Sequence, residues 1–155
     1  MAPADLLKPL EGQREETLRL LDTLVDSDLD VVVRGDGRTV RQLLYHLIDR
    51  EHEINVGIRQ ALGGDISPVR LVERPPGPPD LPGGWDLTRI RRELAEARES
   101  LRQTFLAMRE EDLDLPIRWP GWPARTIRTA IPYMLEHEDS HLDELRSALR
   151  RQRAS

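Results

Sequence analysis

The chain is expected to fold as an all-α four-helix bundle, and three observations carry that expectation. Apolar residues recur at three- and four-residue steps in four separate runs, turn-forming residues cluster between the runs, and no stretch sustains the two-residue alternation of a half-buried strand. Aromatics make up only 4% of the 155 residues, which leaves aliphatic side chains to fill the core.

The first helix is expected from about Asp5 to Val25, with Leu6, Leu7, Leu10, Thr17, Leu18, Leu21 and Leu24 at three- and four-residue steps. The second opens at Thr39, an N-capping residue type that follows "GDGR". It carries Val40, Leu43, Leu44, Leu47, Ile54, Ile58 and Leu62, and Gly63 and Gly64 end it. The third starts after Asp86, another capping type, and repeats Leu87, Ile90, Leu94, Ala97, Leu101, Phe105 and Met108 with Glu and Arg on the opposite side. The fourth opens at Thr126 and runs through Ile127, Ile131, Leu135, Leu142, Leu145 and Leu149. Pro132 inside it removes one backbone hydrogen bond and is expected to bend the first turns.

Between helices one and two, "LDVVVRGDGRT" reads as a short extended piece followed by a turn at Gly35 to Gly37. The stretch from Gly63 to Trp85, "GGDISPVRLVERPPGPPDLPGGW", is too proline-rich for helix and becomes a long crossover between helices two and three. A connection of this length is uncommon in a compact domain unless it covers or binds something. From Asp114 to Arg125, "DLPIRWPGWPAR" reads as an ordered surface loop. The whole chain, 1–155, is expected to be a single domain, since its length suits one core.

Composition narrows the function classes. A formal charge of −5 gives no electrostatic footing on a phosphate backbone, so nucleic acid is not the expected partner. The apolar runs fall short of the roughly 20 residues of a membrane span, and a cytoplasmic location is expected. Without cysteine there is no disulfide, thiolate ligand or cysteine nucleophile. Catalysis would rest on histidine, carboxylate, hydroxyl or a borrowed cofactor.

The four histidines are His46, His52, His137 and His141. His137 and His141, in "HEDSH", are four apart, so on a helix they lie about 40° apart around the axis and about 6 Å along it. Two imidazoles so placed can share a metal ion. Both fall at the border of helix four's apolar stripe, and His46 falls on the flank of helix two's, so the three can line a groove between these helices. His52, about 240° round from His46, is expected on the surface or at a subunit contact. A solvated polar face is the plainer alternative for all of them.

These residues carry a resemblance. A histidine near the start of the second helix, in "TVRQLLYHLIDREHE", and an H-x-x-x-H on the fourth, in "YMLEHEDSHLDEL", together with the helix order and the long second connection, resemble the DinB/YfiT-like superfamily of metalloenzymes. That group includes mycothiol- and bacillithiol-dependent transferases. The resemblance implies a metal site made by His46, His137 and His141. Many relatives have a further histidine beside the last ligand; here that place is Leu142.

Three neutral imidazoles leave a divalent ion its full charge and at least one open position, the arrangement of a catalytic site. Zinc and nickel are the first expectations, with iron and copper also suited to imidazole. Asp49, Glu53, Glu136 and Asp139 are close enough in sequence to orient the ligands. Glu51 and Glu138 stand where leucine is expected. Glu138 is the candidate general base, and the competing reading is an inter-helix ion pair with an arginine, Arg50 and Arg128 being the examples at hand. The expected function is a metal-dependent thiol transferase or hydrolase acting on a small molecule, with a low-molecular-weight thiol as cosubstrate. The rival is a non-catalytic bundle that binds a partner or small ligand. Trp85, Trp119 and Trp122 either cap the groove or close the bundle's open end. Helix three and the crossover leave apolar residues that suggest a symmetric homodimer.

Overall fold

The computed structural model describes residues 2–33, 37–63, 84–117 and 125–154. Four helices make the bundle: α1 (Lys8–Asp22), α2 (Val40–Ala61), α3 (Leu87–Leu106) and α4 (Ile127–Ala154). Short 3-10 turns precede α1 (Pro3–Leu7), follow it (Asp26–Asp30) and follow α3 (Glu110–Asp114). α1 is therefore shorter than its apolar pattern suggested, because a 3-10 turn occupies its first residues and Thr23 closes it. α3 likewise stops two residues before Met108, which is still buried.

The expected caps start the helices. Thr39 Oγ1 accepts from the Gln42 N–H at 3.2 Å while Gln42 Oε1 accepts from the Thr39 N–H at 2.7 Å, a reciprocal pair that satisfies two donors otherwise without partners. Asp86 accepts from the Arg89 N–H at 2.8 Å, and Thr126 and Thr129 exchange bonds at the start of α4. Pro132 is exposed in α4's second turn, where, lacking an N–H, it gives no intrahelical bond to the Arg128 carbonyl. Gly63, with φ of +99°, ends α2 in a conformation that disfavours other residues.

Two connections hold more pairing than expected. Val32 bridges Thr39 in antiparallel fashion, which bears out an extended piece before α2; Gly35 lies outside the described residues. Two-residue strands, β1 (Pro116–Ile117) and β2 (Arg125–Thr126), pair antiparallel at the base of the loop before α4. The crossover from 64 to 83 lies outside the described residues, as do Trp119 and Trp122.

The side-chain pairings give the topology. α2 and α3 run parallel, since Arg41 meets Trp85, Glu51 meets Arg98 and Arg59 meets Thr104. A parallel pair needs a long return, and residues 64–83 separate the two helices in sequence. α1 and α4 are also parallel, with Thr17 on Glu138 and Arg153 reaching the Thr23 carbonyl.

The core divides into two apolar clusters. One joins Leu21 and Leu24 to Leu43, Leu44, Ile90 and Leu145; the other joins Leu7 and Leu10 to Ile54, Ile58, Phe105 and Met134. Between them, beside Ala97 and Leu142, stand the buried polar residues Arg14, Thr17, Glu51, Glu138 and His141. Arg14 donates from Nη2 to Glu51 at 2.9 Å and to Glu138 at 3.0 Å, and from Nη1 to the Leu94 carbonyl at 3.0 Å. Arg98 completes the group with bonds of 2.9 and 3.2 Å to Glu51 and one of 3.1 Å to the Leu10 carbonyl. Each charge is thereby paired and hydrogen-bonded, the condition for burying it.

This layer corrects two expectations. The buried carboxylates pair with Arg14 and Arg98, not with Arg50 or Arg128, which are turned to Glu53 and Asp114. His52 is buried, at 1% exposure, and not on the surface. It shares a helix face with Asn55 and Arg59, three and seven residues on, and that face packs against α3 through a polar seam. In the seam Asn55 bonds Ser100 and Thr104 at 2.9 and 2.7 Å, and Arg59 bonds Thr104 at 3.0 Å.

Candidate metal centre

His46 projects from the second turn of α2, and His137 and His141 from successive turns of α4. The registry of the two helices brings all three rings together. Nε2 of His137 stands 3.1 Å from Nε2 of His46 and 3.1 Å from Nε2 of His141. The three ring centroids are 4.9, 5.1 and 4.5 Å apart, and the rings meet edge-on, so that nitrogens rather than ring faces converge. The three prospective ligand atoms all lie within 4.8 Å of one another.

This arrangement fits a cation. Two imidazole nitrogens that each hold one ion at about 2.0–2.1 Å stand roughly 3.0–3.4 Å apart, as Nε2 of His137 does from each of the other two. A proton is a poor substitute, because burial, reinforced by the neighbouring histidines and Arg50, pushes His46 down to about 3. Burial likewise pushes His137 down to about 4, with His141 and Arg50 adding to it against Glu138 and Glu144. At neutral pH these two rings therefore present uncharged nitrogens, the form that ligates metal.

The surroundings orient the rings. His141 is buried, and its Nδ1 lies 3.2 Å from the Glu144 carboxylate, which directs Nε2 inward. Tyr133 stacks on His137 at 5.6 Å and 17°, and the Arg125 guanidinium covers the Tyr133 ring at 4.8 Å. Glu144 was not among the carboxylates expected from the sequence. Of those, Glu136 and Asp139 are exposed, and Glu53 pairs with Arg50 at 3.4 Å. The signal for Glu144 was its i, i+3 spacing from His141, one turn toward the C-terminus.

A sequence model of the DinB superfamily matches residues 9–145, which takes in the three histidines and all or most of each helix. The chain belongs to the DinB superfamily. No curated protein and no solved structure matches it. For this DinB-superfamily protein the remaining candidates sort by position. Glu138, expected as a general base, is 5% exposed, and its oxygens accept from Arg14 at 3.0 and 3.1 Å and from Thr17 at 2.8 Å. It thus occupies the ion pair that was its competing reading. Trp85 packs edge-on against Tyr45 at 5.5 Å, beneath Arg89, within the apolar cluster at the α2 N-terminal end of the bundle. That is the bundle-closing role. No helix among the described residues is long and apolar enough to cross a membrane.

Proposed function

We propose that His46, His137 and His141 hold one divalent metal ion and that this DinB-superfamily protein is a metal-dependent enzyme acting on a small molecule, as a thiol S-transferase or a hydrolase. The observation that carries the reading is the convergence of three Nε2 atoms, His137 standing 3.1 Å from each of the other two. Such an ion, zinc or nickel being the first expectation, supplies Lewis-acid activation of a thiol or of water at its open position. Glu144 fixes the His141 tautomer, and the Tyr133 ring shields one face of His137 from water. Glu138 is assigned a positioning role: its ion pair with Arg14 sets the rotation of α4. Since the chain has no cysteine, a thiol in the reaction arrives as cosubstrate. A cytoplasmic location and a symmetric homodimer complete the proposal.

One observation favours the rival, a non-catalytic bundle that binds a partner or small ligand. The cavity beside His137 amounts to about 10 Å³, room for a water-sized group. An assay decides between them. Metal-loaded protein mixed with a small thiol and an electrophile should form adduct faster than the His137→Ala or His141→Ala variants do. Ester and amide substrates without thiol test the hydrolase branch on the same preparations. Equal rates for all three proteins in both assays would leave the non-catalytic reading.

A further inference from the structure

His46 stands on α2 and His137 and His141 on α4, so the spacing of the three rings depends on how these two helices sit against each other. An imidazole nitrogen reaches roughly 5–6 Å from its helix axis, and a rotation of about 10° therefore displaces it by about 1 Å. A shared ion tolerates only about 0.2 Å in its ligand distances. The 3.1 Å separation of His46 and His137 thus requires that the rotation of both helices be held. A single side chain from a helix without ligands is placed to hold it. On α4, Glu138 lies about 100° round from His137 and about 60° from His141, and it accepts from Arg14 Nε at 3.1 Å and Nη2 at 3.0 Å. On α2, Glu51, five residues after His46, accepts from the same Nη2 at 2.9 Å. Nη1 reaches the Leu94 carbonyl of α3 at 3.0 Å, so the guanidinium of this α1 residue is bonded to all three other helices. Arg14 is 7% exposed, and water hardly competes for these bonds. Thr17 and Arg98 hold the two carboxylates from their other sides, at 2.8 Å to Glu138 and at 2.9 and 3.2 Å to Glu51.

We propose that Arg14 is a positioning residue of the metal centre: its planar fork fixes the rotation of α2 and α4 together, and through them the distance from His46 to His137. This inference rests on the metal-dependent reading above and carries the role given there to Glu138 across to α2, through a residue that touches no ligand. Charge alone argues the other way. Arg14 neutralises two carboxylates within five residues of the ligands, so removing it would leave negative charge that attracts a dication and tightens metal binding. Loss of the fork's geometry weakens binding instead. The two effects differ in sign, which makes them separable.

Zinc titration of chelator-treated protein by calorimetry, with the visible spectrum of the cobalt form beside it, reads the difference without any assay of turnover. Arg14→Met should bind zinc at least about tenfold more weakly than wild type and change the cobalt spectrum. Arg14→Met combined with Glu138→Leu, which keeps the charge balance of the layer, should show the same weakening, and it decides the matter if the single variant does not fold. Arg14→Lys, which restores the charge without the fork, should stay weaker than wild type. Phe105→Ala, a destabilising cavity in the apolar cluster on α3, should leave affinity and spectrum as in wild type. Zinc affinity equal to or above that of wild type in Arg14→Met, or in the double variant where the single one does not fold, overturns the inference. Equal weakening in Phe105→Ala overturns it too, because general loosening would then explain the loss. If wild type itself takes up no zinc, it is the metal-dependent reading that fails.

Discussion

The Arg14 guanidinium holds the Glu138 carboxylate through two hydrogen bonds, Nε to Oε2 at 3.1 Å and Nη2 to Oε1 at 3.0 Å, one residue along α4 from His137. The same guanidinium bonds Glu51 on α2 at 2.9 Å, so a single side chain ties together the two helices that carry the histidines. Burial works against the charge of Arg14, but Glu51 and Glu138 outweigh it and raise its pKa. Burial likewise opposes ionisation of Glu51, but Arg14 and Arg98 outweigh it and hold the carboxyl below its ordinary value.

Removing one partner from this group leaves a buried charge uncompensated. Arg14→Met should cost about 3–5 kcal/mol in urea denaturation, and the double replacement Arg14→Met with Glu138→Leu should cost less than the single one. An Arg14→Met loss below about 1 kcal/mol would mean that the carboxylates do not depend on it.

The depressed histidine pKa values set a pH dependence for the metal-free protein. An unfolded histidine takes up its proton near 6.5, whereas folded His46 waits until about 3 and His137 until about 4. Between those limits the unfolded chain binds more protons, so stability rises with pH through the window and is lost as pH falls from about 6.5 toward 4. Between pH 7 and pH 5, with chelator present, the melting temperature of wild type should fall further than that of His46→Gln. Parallel declines would show that His46 titrates normally.

Thr39 begins the helix that carries His46. Thr39→Ala removes one half of the reciprocal cap with Gln42 and should lower stability by about 1 kcal/mol, read as a shift in thermal midpoint. A shift indistinguishable from zero would show that the isolated bridge between Val32 and Thr39 holds the start of α2 without the cap.

The proposed homodimer has candidate contact residues. Val25 and Val32, which flank the 3-10 turn Asp26–Asp30, are 63% and 55% exposed, and Leu106 at the end of α3 is 54% exposed. Light scattering at micromolar concentration should give twice the 17.8 kDa chain mass, and Val32→Glu should lower it. A mass of one chain for wild type would remove the dimer from the account.

The helices were legible because their signals are local: an apolar step of three or four, a capping residue, a glycine or proline stop. Helical phase alone puts His137 and His141 on one side, whereas joining His46, which stands on another helix, to them as one ligand set rested on the family resemblance. The polar layer was harder to read, because its partners come from different helices. Arg14 nonetheless stands in step with Leu7, Leu10, Thr17 and Leu21, a cation on an apolar stripe, and that was the available signal. His52 was misplaced because a polar seam, with Asn55, Ser100 and Thr104, has no apolar periodicity to mark it as buried. The short strands were missed because two paired residues make no alternation.

The central claim is that three imidazoles bind one metal ion, and calorimetric titration of chelator-treated, tag-free protein with zinc tests it most directly. The account predicts one ion per chain for wild type, affinity weaker by at least about a hundredfold in His46→Ala, His137→Ala and His141→Ala, and unchanged helical circular dichroism in all three. It would be contradicted by wild type that takes up no zinc, or by variants that bind it as tightly as wild type does.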